Sequence, residues 1–403
     1  MGKMFEGGRG GATVIPFRSD FSTLFYYINT DSTLGLTLEP TMPPNVAPLS
    51  QAEVLIIKNW IDQGAPNEDG FIKFSDNPSH KKFYVANQGC DVVTIFDANS
   101  KLAMRVKDVG VTPSTESPHM IKVSEDNQFW YTCFLGGTTF QKYSTNDNTF
   151  IGEAQIGAGS WNTFALSPDG MTAYLIDFNG GKIAIVNLLT FSVSFVPGLN
   201  FPHGVALNIA GDTLYVSEQL GSALIKFPVN DLSNNETVSM IQNFPASGNL
   251  QIHEIAFTPD GTKYFLTCQN TNEVRAVLTS NDSVVASISV PEFPQEMAFT
   301  ENFPYLFVSC MEASHPDPQK RSYIAVINYQ TNSFVKNIYA GFQSHGIAVD
   351  DSNNLVYITN RNVSTNGPAP HHSSVCGGRN GNVTAIDLNT LELVPGFKTE
   401  VSS

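Results

Sequence analysis

Pro202-His203-Gly204-Val205-Ala206-Leu207 returns later in the chain as Ser344-His345-Gly346-Ile347-Ala348-Val349. Ile252-His253-Glu254-Ile255-Ala256-Phe257 keeps the same pattern, as do the stretches opening at Pro118-His119, Trp161-Asn162 and Pro294-Gln295, and Gly70-Phe71-Ile72-Lys73-Phe74 is a degenerate copy. The clearest copies run into Ser167-Pro168-Asp169-Gly170 or Thr258-Pro259-Asp260-Gly261. Asp-Gly between apolar runs marks a hairpin, because glycine takes the positive φ that the turn requires. A second strand then rises, as in Leu214-Tyr215-Val216-Ser217 or Phe83-Tyr84-Val85-Ala86-Asn87. A third follows, as in Ile183-Ala184-Ile185-Val186-Asn187, and a weaker fourth, as in Ser192-Val193-Ser194-Phe195-Val196.

The unit is four antiparallel strands repeating every ~40–50 residues, the period of propeller blades. A single unit cannot bury both faces, so the units must stack radially and close. The sequence therefore predicts an all-β chain: a seven-bladed β-propeller over residues 70–403, preceded by a small α-helical segment over 1–69. Innermost strands are expected to begin near residues 70, 119, 162, 203, 253, 295 and 345. Blade one is expected to be complete from Phe71 to Val109, so that the ring closes without a strand from the other terminus. The motifs Tyr84-Val85-Ala86-Asn87 and Pro202-His203-Gly204-Val205-Ala206 resemble the YVTN-type β-propeller family. That resemblance implies the fold and leaves the function open, since such propellers host many activities.

The first residues read differently. Ser19 is placed to cap a short helix carrying Leu24, Phe25, Tyr27 and Ile28. Thr41-Met42-Pro43-Pro44 is a rigid turn, and Ser50-Gln51-Ala52-Glu53 is a capping box. It opens a helix with Val54, Ile57, Trp60 and Ile61 on one face, closed by Gly64. This order resembles the C-terminal half of a c-type cytochrome domain. The resemblance implies that Met42 is a distal haem ligand, with haem c present only in a longer form of the protein. It also implies an exported protein, periplasmic or extracellular. Met1-Gly2-Lys3-Met4-Phe5-Glu6 lacks the apolar core of a signal peptide.

Composition narrows the partners. Net charge is −15, which disfavours nucleic acid and anionic membrane surfaces. No apolar run is long enough to span a bilayer. Five cysteines include no C-x-x-C, which excludes a zinc ribbon, a thioredoxin-type pair and covalent haem attachment within these 403 residues. Cys133, Cys268 and Cys310 are read in the same register on second strands of different blades and are expected to be free, buried thiols. Cys90 and Cys376 fall in loops of blades one and seven, where a bond between them would clip the seam of the ring.

The repeat register sets one residue of each blade at one end of the channel, called here the top: Gly70, His119, Asn162, His203, His253, Gln295 and His345. Loops carrying His315, His371 and His372 belong to the same face, and His80 to the opposite one. Converging imidazoles can coordinate copper, zinc or iron. Asn162, Gln295, Glu218 and Asp177 are candidates to support them, with Gln269, Glu312 and Asn360 nearby in register. The alternative is that these histidines hydrogen-bond between blades, donating at one ring nitrogen and accepting at the other. The expected function is a binding or electron-transfer accessory module, with a protein or small-molecule ligand on the top face. A metal-dependent hydrolase, lactonase or oxidoreductase is the enzymatic alternative, ranked lower for want of a carboxylate-rich ligand set. A protein-interaction scaffold is the third.

Overall fold

The computed structural model describes residues 5–8, 10–312, 321–361, 376, 381–396 and 399–401. His315, His371 and His372 lie outside the described residues. Seven antiparallel sheets make a seven-bladed propeller. Blades two to six each have four consecutive strands, and their innermost strands are Pro118–Val123, Trp161–Leu166, Pro202–Leu207, Ile252–Phe257 and Pro294–Phe299. In blade seven the innermost strand is Ile347–Asp350, and its outer edge is completed by Glu392–Leu393 and Thr399–Val401. The hairpins between first and second strands turn as the sequence requires: Gly170 and Gly261 take φ of +69° and +67°, and Asp169 accepts from Ser167 Oγ and from Met171 N–H.

Side chains alternate between the faces of each sheet, so every blade buries apolar residues against both neighbours. Between blades two and three, Tyr131, Phe140, Trp161, Phe164 and Leu175 form one such layer. Between blades four and five, Tyr215, Leu224, Ile255, Tyr264 and Leu266 form another.

Blade one departs from the expectation. Its sheet has three strands, Lys82–Asn87, Val92–Asp97 and Leu102–Asp108, corresponding to the second, third and fourth strands elsewhere. Gly70–Phe74 is not an innermost strand. Lys73 O accepts from Arg105 Nη1 on the outermost strand, and Phe74 packs with Val93, Met104 and Trp130. The segment thus runs outside the blade, and the chain enters directly at the second strand. Gly70-Phe71-Ile72-Lys73-Phe74 has the apolar spacing of the repeat but neither a preceding Pro-His nor a following Pro-Asp-Gly turn. Among the described residues, no strand is paired with the inner edge of Lys82–Asn87.

The seam between blades seven and one is closed by other means. Phe83 stacks on Tyr357 at 4.1 Å between ring centroids and on Phe96 at 4.6 Å. Lys81 Nζ binds Asp350 and Ser352. Cys90 and Cys376 form a disulfide, with their Cα atoms 4.7 Å apart, and Cys133, Cys268 and Cys310 are free and buried. The three thiols do not share one register, however. Cys268 and Cys310 pair with the residue before the channel residue, whereas Cys133 sits one position earlier, opposite Met120.

The N-terminal segment lies against blade one. A 3-10 turn, Ser19–Phe21, precedes the helix Thr23–Ile28, so the residue at the helix start is Ser22 rather than Ser19. Phe25, Tyr26 and Ile28 are buried on that helix. Ser50 and Glu53 form the reciprocal capping box, and Gln51–Asp62 follows with Val54 and Ile61 buried. Ala12, Ile15 and Phe21 insert into a core shared with Phe96, Ala103 and Val106. Arg18 bridges to Asp108 at 2.9 Å.

Candidate functional site

The channel begins beneath a layer of histidines and widens into a cavity of about 890 Å³. His119, His345 and Arg361 line its upper end, and Ser167, Pro168 and Pro259 its lower end. The second strand of blade one, Phe83 to Asn87, lines it directly, because no innermost strand covers it among the described residues.

The four repeat-register histidines come together as expected. Ring centroids are 4.0 Å apart for His203 and His253, 5.9 Å for His119 and His345, and 6.3 Å for His253 and His345. Their roles divide. His119 Nδ1 donates to Asn162 O at 2.7 Å, and His203 Nδ1 donates to His253 O at 2.9 Å. Both therefore reach across to the next blade. Thr163 Oγ1 donates to His203 O, Thr267 Oγ1 to Gln295 O at 2.8 Å, and Ser309 Oγ to His345 O at 2.7 Å. These bonds form a belt that runs from blade two to blade seven.

Hydroxyls anchor the belt for a local reason. In blades four, five and six the innermost strand bulges just after its channel residue, which strands one backbone N–H. Ser217, Thr267 and Ser309 accept it, from Gly204, Glu254 and Glu296 at 2.8, 3.0 and 3.1 Å. Thr359 does the same for Gly346 in blade seven. In blade two the equivalent place is Cys133, whose thiol donates to Asn162 O at 3.7 Å, which explains its different register. In blade one it is Ala86, where there is no innermost strand to anchor.

Burial holds the belt histidines neutral. It pushes His119 down to about 4, with the Arg361 cation adding to the effect. It pushes His203 down to about 3, with His119 adding. Since each spends its Nδ1 proton on a carbonyl, Nε2 is left as a lone pair.

His253 and His345 do something else. With Glu296 they place three ligating atoms, one from each residue, all within 4.8 Å of one another. Glu296 lies beside Glu254, and Lys122 faces both from blade two across the channel. Desolvation, together with the charge of Glu296, raises the Glu254 carboxyl well above its usual range. Desolvation also raises Glu296, while it lowers Lys122 against the pull of both carboxylates.

The other candidates sit at varied distances from this cluster. Gln295 and Asn162 are buried in the belt. Asp177 Oδ1 accepts from Ser160 N–H and Gly180 N–H, and its other oxygen pairs with Lys182 at 3.4 Å. Neither Asp177 nor Glu218 lines the cavity. Gln269 accepts from Gln219. Glu312 is held by Arg321 at 2.7 Å and Gln343 at 2.8 Å. Met42 lies in the helical segment, 38% exposed, its N–H on Tyr27 O.

Glu254, Glu296, Lys122 and Arg361 were not read from the sequence, yet three of them break the repeat visibly. Glu254 and Glu296 stand where Gly204 and Gly346 stand in their blades. Lys122 takes the place of Ala165, Ala206, Ala256, Ala298 and Ala348, all opposite an aromatic on the second strand.

No family model matches the chain, and no curated protein matches it in sequence. Solved structures define its class as that of seven-sheet propellers. The dihydro-heme d1 dehydrogenase NirN, solved in complex with DHE, aligns over 98% of this chain and 93% of its own, at 13% identity and a TM-score of 0.55. Hydrazine synthase from Kuenenia stuttgartiensis aligns over 70% of this chain and 79% of its own, at 15% identity and 0.53. Virginiamycin B lyase from Staphylococcus aureus aligns over 70% and 88%, at 12% identity and 0.54. At these identities the likeness is one of fold.

Proposed function

We propose that this chain is an extracytoplasmic propeller that binds a transition-metal ion at the ceiling of its channel, through His253, Glu296 and His345. The observation that carries this reading is the convergence of three ligating atoms within 4.8 Å. Two neutral imidazoles and a carboxylate suit zinc or iron, and copper with less oxygen character. The belt supports the site by fixing the blades that bear the ligands: Thr267 holds the strand after His253, and Ser309 holds both Glu296 N–H and His345 O. The disulfide at the seam suits an oxidising compartment.

The accessory role in electron transfer rests on the YVTN-like propeller joined to a cytochrome-like segment. The NirN alignment, which extends over nearly the whole chain, supports that architecture. Met42 offers an exposed thioether of the kind a haem iron takes as a distal ligand. These 403 residues contain no C-x-x-C-H, so a haem would need its attachment site from a longer form. The enzymatic alternative is favoured by one observation: Glu254 and Lys122 share the cavity with Glu296 and His345, two of the proposed ligands, where a metal could polarise a carbonyl or activate water.

Elemental analysis of purified protein, before and after exposure to zinc, copper and iron, tests the site. One ion per chain is expected, and the double substitution His253→Ala, His345→Ala should abolish it while the propeller stays folded. A parent that takes up no ion, or a variant that retains it, would overturn the metal reading.

A further inference from the structure

Arg361 follows the second strand of blade seven, with its N–H on Phe342 O at 2.9 Å. Its side chain lines the channel with His119 and His345, beside the space that an innermost strand of blade one would fill. The guanidinium Nη1 is buried and has no hydrogen-bond partner among the described residues. A buried charge is ordinarily paired. The carboxylate that acts on it is Glu312, but the Glu312 oxygens are already held by Arg321 and Gln343. The other channel carboxylates, Glu254 and Glu296, face Lys122. Burial pushes Arg361 down to about 10, so it remains a cation at neutral pH.

We propose that the channel takes a small organic carboxylate, held by the Arg361 guanidinium at the gap in blade one. The fork of a guanidinium matches a planar carboxylate through two parallel N–H bonds. A phosphate is the poorer fit. Its extra charge would meet Glu254 and Glu296 in the same cavity, with one cation spare to receive it. The volume of about 890 Å³ suits a small-molecule ligand. If the metal reading holds, a second oxygen of the ligand reaches the ion on His253, Glu296 and His345. That second contact rests on the proposed function, and the contact with Arg361 does not.

Equilibrium binding of glycolate, a monoanion with a second oxygen, to chelator-treated protein, with inorganic phosphate as comparator, tests the anion site without the metal. One glycolate per chain is expected. Arg361→Met should weaken it roughly 10- to 100-fold, the range for a charge-assisted pair, and Arg361→Lys should restore part of the loss. Thermal melting of each variant checks that it folds. Glycolate binding that is unchanged in Arg361→Met, or phosphate binding as tight as glycolate, would overturn the proposal. Arg361-dependent binding in a protein that takes up no metal would leave this site standing and remove the metal reading alone.

Discussion

Blades two to seven and blade one solve the same problem with different chemistry. In the six-blade arc each innermost strand is tied to the next at the top of the channel, by a histidine, a hydroxyl or a thiol that donates to a neighbouring carbonyl. Among the described residues, blade one has no innermost strand and no member of that belt. It is held instead by stacked rings, by Lys81 and by the Cys90–Cys376 bond. A ring closed by many modest bonds therefore contrasts with a seam closed by a few strong ones. The second strand of blade one faces the same cavity that Glu296, His345 and Arg361 line.

Breaking the seam should have the largest effect. The disulfide closes a loop with a sequence separation of 286, and on the chain-entropy account its loss costs about 5–6 kcal/mol. Cys90→Ser should lower the denaturant midpoint markedly, and reduction of the parent should reproduce the shift. An unshifted midpoint would mean that stacking alone carries the junction.

Acid should next distinguish the arc. His119 and His203 have folded pKa values of about 4 and about 3, below their ordinary value. The unfolded chain thus binds more protons as pH falls below about 6.5. The stability these neutral histidines give is complete above that pH and is lost towards pH 3–4. Metal-free protein should lose about 3 kcal/mol between pH 7.5 and 5.5 from the two together. His203→Gln should flatten that slope, and an identical slope in the variant would place the titration elsewhere.

The smallest effects compare single hydroxyls. Thr267→Ala removes the acceptor of Glu254 N–H and the donor to Gln295 O, and should cost about 1–3 kcal/mol. Ala86→Ser, at the matching place in blade one, should change stability by less than about 0.5 kcal/mol. A loss at Ala86 as large as at Thr267 would show that another segment packs tightly against that position.

The blade count, the turn chemistry and the meeting of four histidines were legible because each rests on a fixed repeat offset. The cross-seam disulfide was legible for the same reason, once Cys90 and Cys376 were assigned to adjoining blades. The missing strand was not. Phe71, Ile72 and Phe74 satisfy an apolar pattern equally well on the outside of the blade, where Phe74 packs with Met104. The division of labour among the histidines was also hidden, since register fixes position but not whether a ring nitrogen meets a carbonyl or a carboxylate. Glu296 and Lys122 could have been found as departures from the glycine and alanine of neighbouring copies. Arg361 could not, because it lies beyond the repeat and matters only through the space left by blade one.

The bond between Cys90 and Cys376 also changes what a broken chain is. Residues 90 to 376 form a covalently closed circuit, so one proteolytic cut anywhere inside it yields a single molecule with new ends rather than two pieces. A nick in an exposed hairpin such as Ser167–Gly170 would leave the blades in their order and the ring intact. In the extracytoplasmic setting proposed above, where proteases are met and repair is not, the clasp would make the propeller tolerant of its first wound.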